Sequence, residues 1–300
     1  MPFGYLHRAI LDRLQPWCEL ESFLEYCAYT GALVPKHTAD FFLDSGTFSI
    51  STGLPPFVRD NFNREGYVEY LLKYADQLTA YANFDVIPTE DSDKEPWQCA
   101  EETWDNQMYM ESFGLKPIPV FHSGEPWEYL ERYLDKYEYI AVGFRNSEHL
   151  LDELWDRYLA DSNGRPRCKV HAFGLMAVQR ITKYPWYSCD SRTWLSAARC
   201  GAILVPQKID GQYCYNVKPL LFVIGKKSVV MRSQYGKHYD TFPKIKKDYI
   251  EEYLSLKGYD IKQCIEYRDW RAMANMHYFI DLSRNATFTD VVKKRQVILI

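Results

Sequence analysis

Between residues 20 and 207, short apolar or β-branched runs recur about every 25 to 40 residues, each followed by a polar turn and a stretch with helical spacing. The runs are FFLDSGTF (41–48), YANFDVIP (81–88), KPIPVFHSG (116–124), YIAVGFRNS (139–147), KVHAFGL (169–175), WYSCDS (186–191) and GAILVPQ (201–207), with a further strand expected near CAYTGALV (27–34). Between them the spacing predicts helices over 64–80, 97–113, 126–137, 147–160, 176–183 and 192–200. Such alternation is the pattern of βα units around a parallel sheet.

No G-x-G-x-x-G follows an early strand, so the expected architecture is an α/β fold of the (β/α)8 barrel type, with an open doubly wound sheet as the alternative. After residue 207 the pattern changes to a hairpin, a basic segment and two helices near 244–257 and 265–283. The expected organisation is therefore a barrel over 1–207 and a C-terminal α+β extension over 208–300.

Composition narrows the class. With 300 residues, 47% of them apolar and 16% aromatic, the chain can bury a large core and is not disordered. The longest apolar run, PLLFVIG (219–225), is too short to span a bilayer, and the first residues scatter charges through their apolar positions. A protein without a membrane partner and without a signal peptide is expected. The eight cysteines form no C-x-x-C pair and no cluster of zinc spacing, so reduced thiols, a cytoplasmic location and no bound metal are expected.

The net charge of −4 conceals an asymmetry. Residues 201–300 carry 17 Lys and Arg against 10 Asp and Glu, about +7, which leaves 19 against 30, or −11, for residues 1–200. Within the basic third, residues 225–247 hold Lys226, Lys227, Arg232, Lys237, Lys244, Lys246 and Lys247 against the single acid Asp240, with Tyr235, Tyr239 and Phe242 between them. Such a stripe suits a phosphate backbone with bases stacked on rings; a solvated charged loop is the alternative.

Chemistry-bearing residues fall at the ends of the expected strands. Asp44, Asp85, His122, Gly143, Gly174 and Asp190 each close a different one, and a parallel barrel gathers such positions at one mouth. Taken singly, Asp44 suits an Asx turn and Asp190 a helix N-cap before Ser191, while Asp85 ends a strand and the glycines permit turns. Taken together, three carboxylates and an imidazole make a candidate site.

In order along residues 40–205, these segments resemble the tRNA-guanine transglycosylases. LDSGTF is similar to their T-D-S-G-G-[FY] segment and NFDVIP to F-D-E-C. VFHSGE falls where they carry V-Q-G-G, AVGF where they carry G-G-L, HAFGL where they carry L-M-G-V-G, and YSCDSRTW where they carry F-D-C-V-x-P-T-R. The spelling VHAFGL…YPWYSCDS resembles the viral branch, the DNA 7-deazaguanine transglycosylases. The resemblance implies that Asp190 is the nucleophile on C1′ and Asp44 the general acid/base. It implies that Asp85 holds a flipped guanine, with Ser45, His122, Gly143, Phe144 and Gly174 around the base. Guanine presents N1–H and its 2-amino group side by side, and an ionised carboxylate accepts both.

Three departures matter. Thr47 stands where the second glycine of D-S-G-G is expected, Ser191-Arg192-Thr193 replaces V-x-P-T-R, and the C-terminal C-x-C-x-x-C zinc cluster is absent. The last points away from tRNA and leaves the basic segment, with Arg192, to grip a nucleic-acid backbone. The expected activity is exchange of guanine in DNA for a free 7-deazaguanine base, without a metal or redox cofactor, in the cytoplasm (the host's, for a viral protein). The same exchange on tRNA, a catalytically silent binding subunit and a glycoside hydrolase with paired carboxylates are the alternatives.

Overall fold

The structure is a computed structural model that describes residues 18–22, 40–47, 62–88, 93–144, 148–175, 177–190, 192–230 and 232–292. The strand expected near 27–34 and Ser191 lie outside the described residues.

β1 (Cys18–Ser22) pairs in parallel with β2 (Asp40–Asp44), and β2 with β3 (Ala80–Tyr81). β4 (Val120–His122), β5 (Tyr139–Gly143), β6 (Lys169–Phe173) and β7 (Ser188–Cys189) form a second parallel sheet in that order. A parallel bridge between Ala82 and Ile118 links the two sheets. Ile118 N–H donates to the Tyr81 carbonyl at 2.8 Å, and Asn83 N–H to the Ile118 carbonyl at 2.9 Å. From β1 to β7, consecutive strands are therefore spatial neighbours.

Each crossover from β2 onward carries a helix: α1 (Arg64–Tyr74), α2 (Pro96–Ser112), α3 (Trp127–Lys136), α4 (Glu148–Glu153), which runs into a π-helical turn at Leu154–Leu159, and α5 (Val178–Lys183). Local chemistry sets the starts of the first two. Asn63 accepts the Gly66 N–H at 2.7 Å as N-cap of α1, and Glu95 and Gln98 form a capping box ahead of Pro96 in α2. The central strands are buried through Ile140, Ala141, Val142, Val170 and Ala172, as a parallel sheet covered on both faces requires. Each fully buried Leu or Ile, such as Leu130 and Ile140, contributes about 1.5–3 kcal/mol.

The chain continues through α6 (Thr193–Arg199), β8 (Ala202–Val205), β9 (Gln207–Ile209), β10 (Gln212–Cys214), β11 (Leu220–Val223), α7 (Lys244–Leu256), α8 (Ile261–Glu266) and α9 (Arg268–Asn285). The expected hairpin is β9–β10, turned by Asp210 and Gly211, both at positive φ as a two-residue turn demands. Two expectations are corrected. GAILVPQ does not extend the parallel array by pairing with β7: β8 pairs antiparallel with β11, and on its opposite edge Asn275 takes the Leu204 N–H at 2.8 Å and donates to the Ala202 carbonyl at 3.2 Å. The helix expected over 265–283 starts later, at Arg268, as α9, and a separate short helix, α8, precedes it, with the break where Tyr267 adopts an extended conformation. Arg271 of α9 donates to the Cys264 and Ile265 carbonyls, satisfying the exposed end of α8.

The main core runs from Leu130, Ile140, Val170 and Trp155 to Leu204, Tyr215, Tyr278 and Leu282, so α9 packs into the same apolar cluster as the parallel sheet. Among the described residues no helix is long and apolar enough to cross a membrane.

Candidate active site

Parallel strands in register present all their C-terminal ends on one side, and the expected residues stand there. Asp44 ends β2, His122 ends β4 and Gly143 ends β5. Gly174 follows β6, Asp190 follows β7, and Asp85 lies just beyond β3. His122 and Gly143 are register partners, as are Gly143 and Phe173.

Asp44 feels both other acids. Burial, followed by the negative charges of Asp85 and Asp190, pushes its carboxyl up to about 8, against partial relief from the backbone N–H groups of Gly46 and Ser45. The turn that follows the strand thus donates to Asp44, as an Asx turn would, without offsetting its burial and its two acidic neighbours. At neutral pH Asp44 is largely the protonated acid.

Asp85 is ionised and enclosed. Its Oδ1 accepts the Ser45 hydroxyl at 2.6 Å and the Thr47 hydroxyl at 2.8 Å, and its Oδ2 lies 2.9 Å from His122 Nε2. Burial alone would raise its pKa; the His122 hydrogen bond and charge, aided by the two hydroxyls, lower it below the ordinary Asp value. His122 is gripped from the other side by Glu125, whose Oε1 is 2.9 Å from Nδ1 and whose Oε2 accepts the His122 backbone N–H at 3.1 Å. Although burial opposes the charge, the hydrogen bonds that the ring donates to Asp85 and Glu125 raise the imidazole to about 10. The result is a buried carboxylate–imidazolium–carboxylate chain in which both ring N–H groups are committed. Tyr67, the phenol nearest these acids, is held protonated by burial and by their charge, and donates to the Ala82 carbonyl at 2.9 Å.

Gly143 is a glycine because of His122: a Cβ there would stand 2.7 Å from the ring's Cδ2. Phe144 packs on Phe121 and, with Phe173, Gly174, Arg180 and Trp186, lines a small cleft beside the site.

Asp190 is not a helix N-cap. Arg192 occupies that position of α6, and the Asp190 carboxylate instead accepts the Gly174 N–H at 2.8 Å through Oδ1. Gly174 has φ of 64°, which aims that N–H across the strand ends. Oδ2 of Asp190 carries no hydrogen bond from the described residues, and the side chain retains 18% exposure. One oxygen is anchored and the other is open.

Three contributors escape a reading by strand ends alone, Glu125, His171 and Phe42; Phe173 ends β6. His171 packs against the Phe42 and Phe173 rings, with centroids at 4.7 and 4.6 Å. The spacing H-x-x-E of HSGE was the one available signal for Glu125.

The basic segment divides. Lys226 is bound to Glu266 at 2.9 Å and Arg232 to Asp240, while Lys246 sits 3.7 Å over the Phe242 ring and Lys247 5.1 Å over Tyr239. Phe242 is buried in the core around β8 and β11, whereas Tyr235 is 87% exposed. Lys227, Lys237 and Lys244 are exposed and have no side-chain partner among the described residues. Lys244, Lys246 and Lys247 stand in the first turn of α7, where the helix dipole disfavours cations and favours an incoming anion.

No protein-family model matches the chain, and no curated protein matches it.

Proposed function

We propose that the protein is a DNA-guanine transglycosylase on a (β/α)8-type barrel, exchanging guanine in DNA for a free 7-deazaguanine through a covalent glycosyl-enzyme. The observation that carries this reading is the division of labour between two neighbouring acids: Asp44 protonated near neutrality, and Asp190 anchored through one oxygen with the other open. Parallel strands β1 to β7 in unbroken sequential order, with no reversal of strand order, support the barrel over the doubly wound alternative.

In the first half-reaction, Asp190 Oδ2 attacks C1′ of a flipped nucleotide, the C1′–N9 bond breaks, and the departing guanine takes the Asp44 proton. In the second, N9–H of the incoming deazaguanine gives its proton to Asp44 as N9 attacks C1′, and the ester bond returns its electron pair to Asp190. The site carries one negative charge on this pair throughout. It rests on Asp190 while Asp44 is protonated, and on Asp44 while Asp190 is esterified. Esterification removes one of the charges that raise Asp44, which favours proton release at the step that requires it.

The test is incubation with labelled guanine and either duplex DNA or tRNA. Label entering DNA is expected; label entering tRNA alone, or neither polymer, overturns the reading. Denaturing gels after incubation with DNA and a non-productive deazaguanine are expected to show a covalent adduct with wild type, a more slowly formed one with Asp44→Asn, and none with Asp190→Ala. An adduct persisting in Asp190→Ala and lost in Asp44→Asn would exchange the two roles.

A further inference from the structure

A second hydrogen-bonded chain approaches Asp190 from the side opposite the open oxygen. His171 Nε2 lies 3.5 Å from Asp190 Oδ1, the oxygen that also accepts the Gly174 N–H. That nitrogen is buried and makes no hydrogen bond among the described residues, so it is a polar atom aimed at the carboxylate with nothing else to serve. At the other side of the ring, Nδ1 is 2.7 Å from the Ser188 hydroxyl, which is 2.8 Å from the Tyr139 hydroxyl. His171 and Ser188 are register partners on β6 and β7, and the ring packs against Phe42 and Phe173 in one aromatic cluster. Burial of the ring and its hydrogen bond to Ser188 hold Nε2 toward Asp190.

We propose that His171 is a positioning residue for Asp190, fixed as the Nε2–H tautomer by Tyr139 and Ser188, whose N–H closes onto Oδ1 as the carboxylate leaves the sugar. The tautomer follows from the facing acid: a lone pair on Nε2 would be repelled by the carboxylate, so the ring proton sits there, and Nδ1 is left to accept from Ser188 and Ser188 from Tyr139. The kinetic part of this proposal rests on the transglycosylase reading; the tautomer and its link to Asp190 do not. In the ester, Oδ1 is a carbonyl oxygen without full charge. When C1′–Oδ2 breaks, negative charge returns to the carboxylate, and the Gly174 and His171 N–H groups stand where it develops. A gap of 3.5 Å in the free protein is the state from which such a bond tightens. A donor of this kind weakens Asp190 slightly as a nucleophile and improves it as a leaving group, so its removal slows the second half-reaction more than the first.

The test combines structure and kinetics. ¹⁵N-histidine NMR at neutral pH, with His171 assigned by its loss in His171→Phe, is expected to show a bare Nδ1 and a protonated Nε2. Ser188→Ala is expected to mix the tautomers, Ser188→Thr to restore them, and Asp190→Asn to shift the Nε2 signal. With DNA and a deazaguanine, His171→Phe and Ser188→Ala are expected to accumulate the covalent adduct and to lose about 10²-fold in turnover for His171→Phe, with KM for the base little changed. A proton on Nδ1 in the wild type, or an Nε2 signal indifferent to Asp190→Asn, overturns the proposal whatever the activity. Wild-type adduct levels in Ser188→Ala overturn its kinetic half. If the wild-type protein forms no adduct with DNA, the transglycosylase reading and the kinetic half fall together, while the NMR result still decides the link between His171 and Asp190.

Discussion

Gly143→Ala isolates the clamp on Asp85. The added Cβ would stand 2.7 Å from His122 Cδ2, 3.4 Å from Nε2 and 3.8 Å from Cγ. Ordinary carbon contacts begin near about 3.5 Å, so the ring must withdraw by roughly 0.8 Å. It cannot do so freely, because Nδ1 and Nε2 are each held at 2.9 Å by Glu125 and Asp85. Withdrawal along the strand end stretches at least one of these pairs past the hydrogen-bond limit. Overpacking costs about 1–3 kcal/mol, and weakening a charge-assisted bond adds about 1.5–3 kcal/mol. A destabilisation of about 2.5–6 kcal/mol is expected in urea unfolding at pH 7. His122 gains its raised pKa from these bonds, so the stability it confers is complete below the ordinary histidine pKa and is lost as pH rises through about 10. In Gly143→Ala this loss starts from the same unfolded-state pKa and is expected to be complete at lower pH, with the His122 titration seen by NMR moved down. In a His122→Ala background the same substitution meets no ring and is expected to cost under about 1 kcal/mol, which gives a coupling that a double-mutant cycle detects. Stability and titration equal to wild type in Gly143→Ala would refute the pinned ring.

Three further outcomes are expected. Asp44 has a folded pKa above its unfolded one, so its ionisation costs stability as pH rises from the ordinary carboxylate range through about 8; Asp44→Asn is expected to gain on wild type across that window by at most about 1.4 kcal/mol per pH unit, and a difference flat with pH in chemical denaturation would contradict the assignment. Replacing the exposed Lys227, Lys237 and Lys244 with Gln is expected to lower the slope of log affinity against log salt for duplex DNA by about 0.9 for each phosphate left unneutralised, whereas replacing Lys226 and Arg232, already bound to Glu266 and Asp240, is expected to change it less; fluorescence anisotropy from low to moderate salt distinguishes the two. Thr47→Val removes one of the two hydroxyls on Asp85 Oδ1 and is expected to tighten binding of the free base in calorimetry, while unchanged or weaker affinity would show that the hydroxyl does not compete with the base.

Much of the scaffold was legible because its signals are local. Helices such as 97–113 and 126–137 fell within a residue or so of α2 and α3, since each is bracketed by its own cap, turn or proline. The acids at strand ends could be picked out for the same reason: an apolar run that stops at Asp or His is visible without a partner. What escaped required pairing information. His171, Ser188 and Tyr139 form one chain only because β5, β6 and β7 are neighbours in a particular register. GAILV reads alike as a parallel or an antiparallel strand, and Asn275, far along the chain, occupies the edge that settled its place. β1, spelled CELES, has no apolar run to announce it. Charge counting found the basic segment but could not separate lysines lying on aromatic faces from those left open.

The carboxylate at the centre of the site also sets a limit on what it can bind. An ionised Asp85 offers about four lone-pair positions, and three are occupied: two on Oδ1 by Ser45 and Thr47, one on Oδ2 by His122. A guanine edge brings two donors, so at least one present donor has to leave. His122 is the costly one to displace, since it would strand a buried imidazolium beside Glu125 and a buried carboxylate. The hydroxyls are cheaper, because Ser45 Oγ and Thr47 Oγ1 already lie 3.2 Å apart and can satisfy each other when one swings off Asp85. The imidazolium therefore belongs to the fixed part of the pocket and the hydroxyls to its exchangeable part. With both ring N–H groups committed, His122 has none to offer the O6 acceptor of a guanine, and on the proposed reading that interaction would fall to backbone N–H groups at the strand ends around Gly143. On the proposed reading, Thr47, where the transglycosylase pattern would place a glycine, would act on the base through its competition for Asp85 rather than through bulk alone.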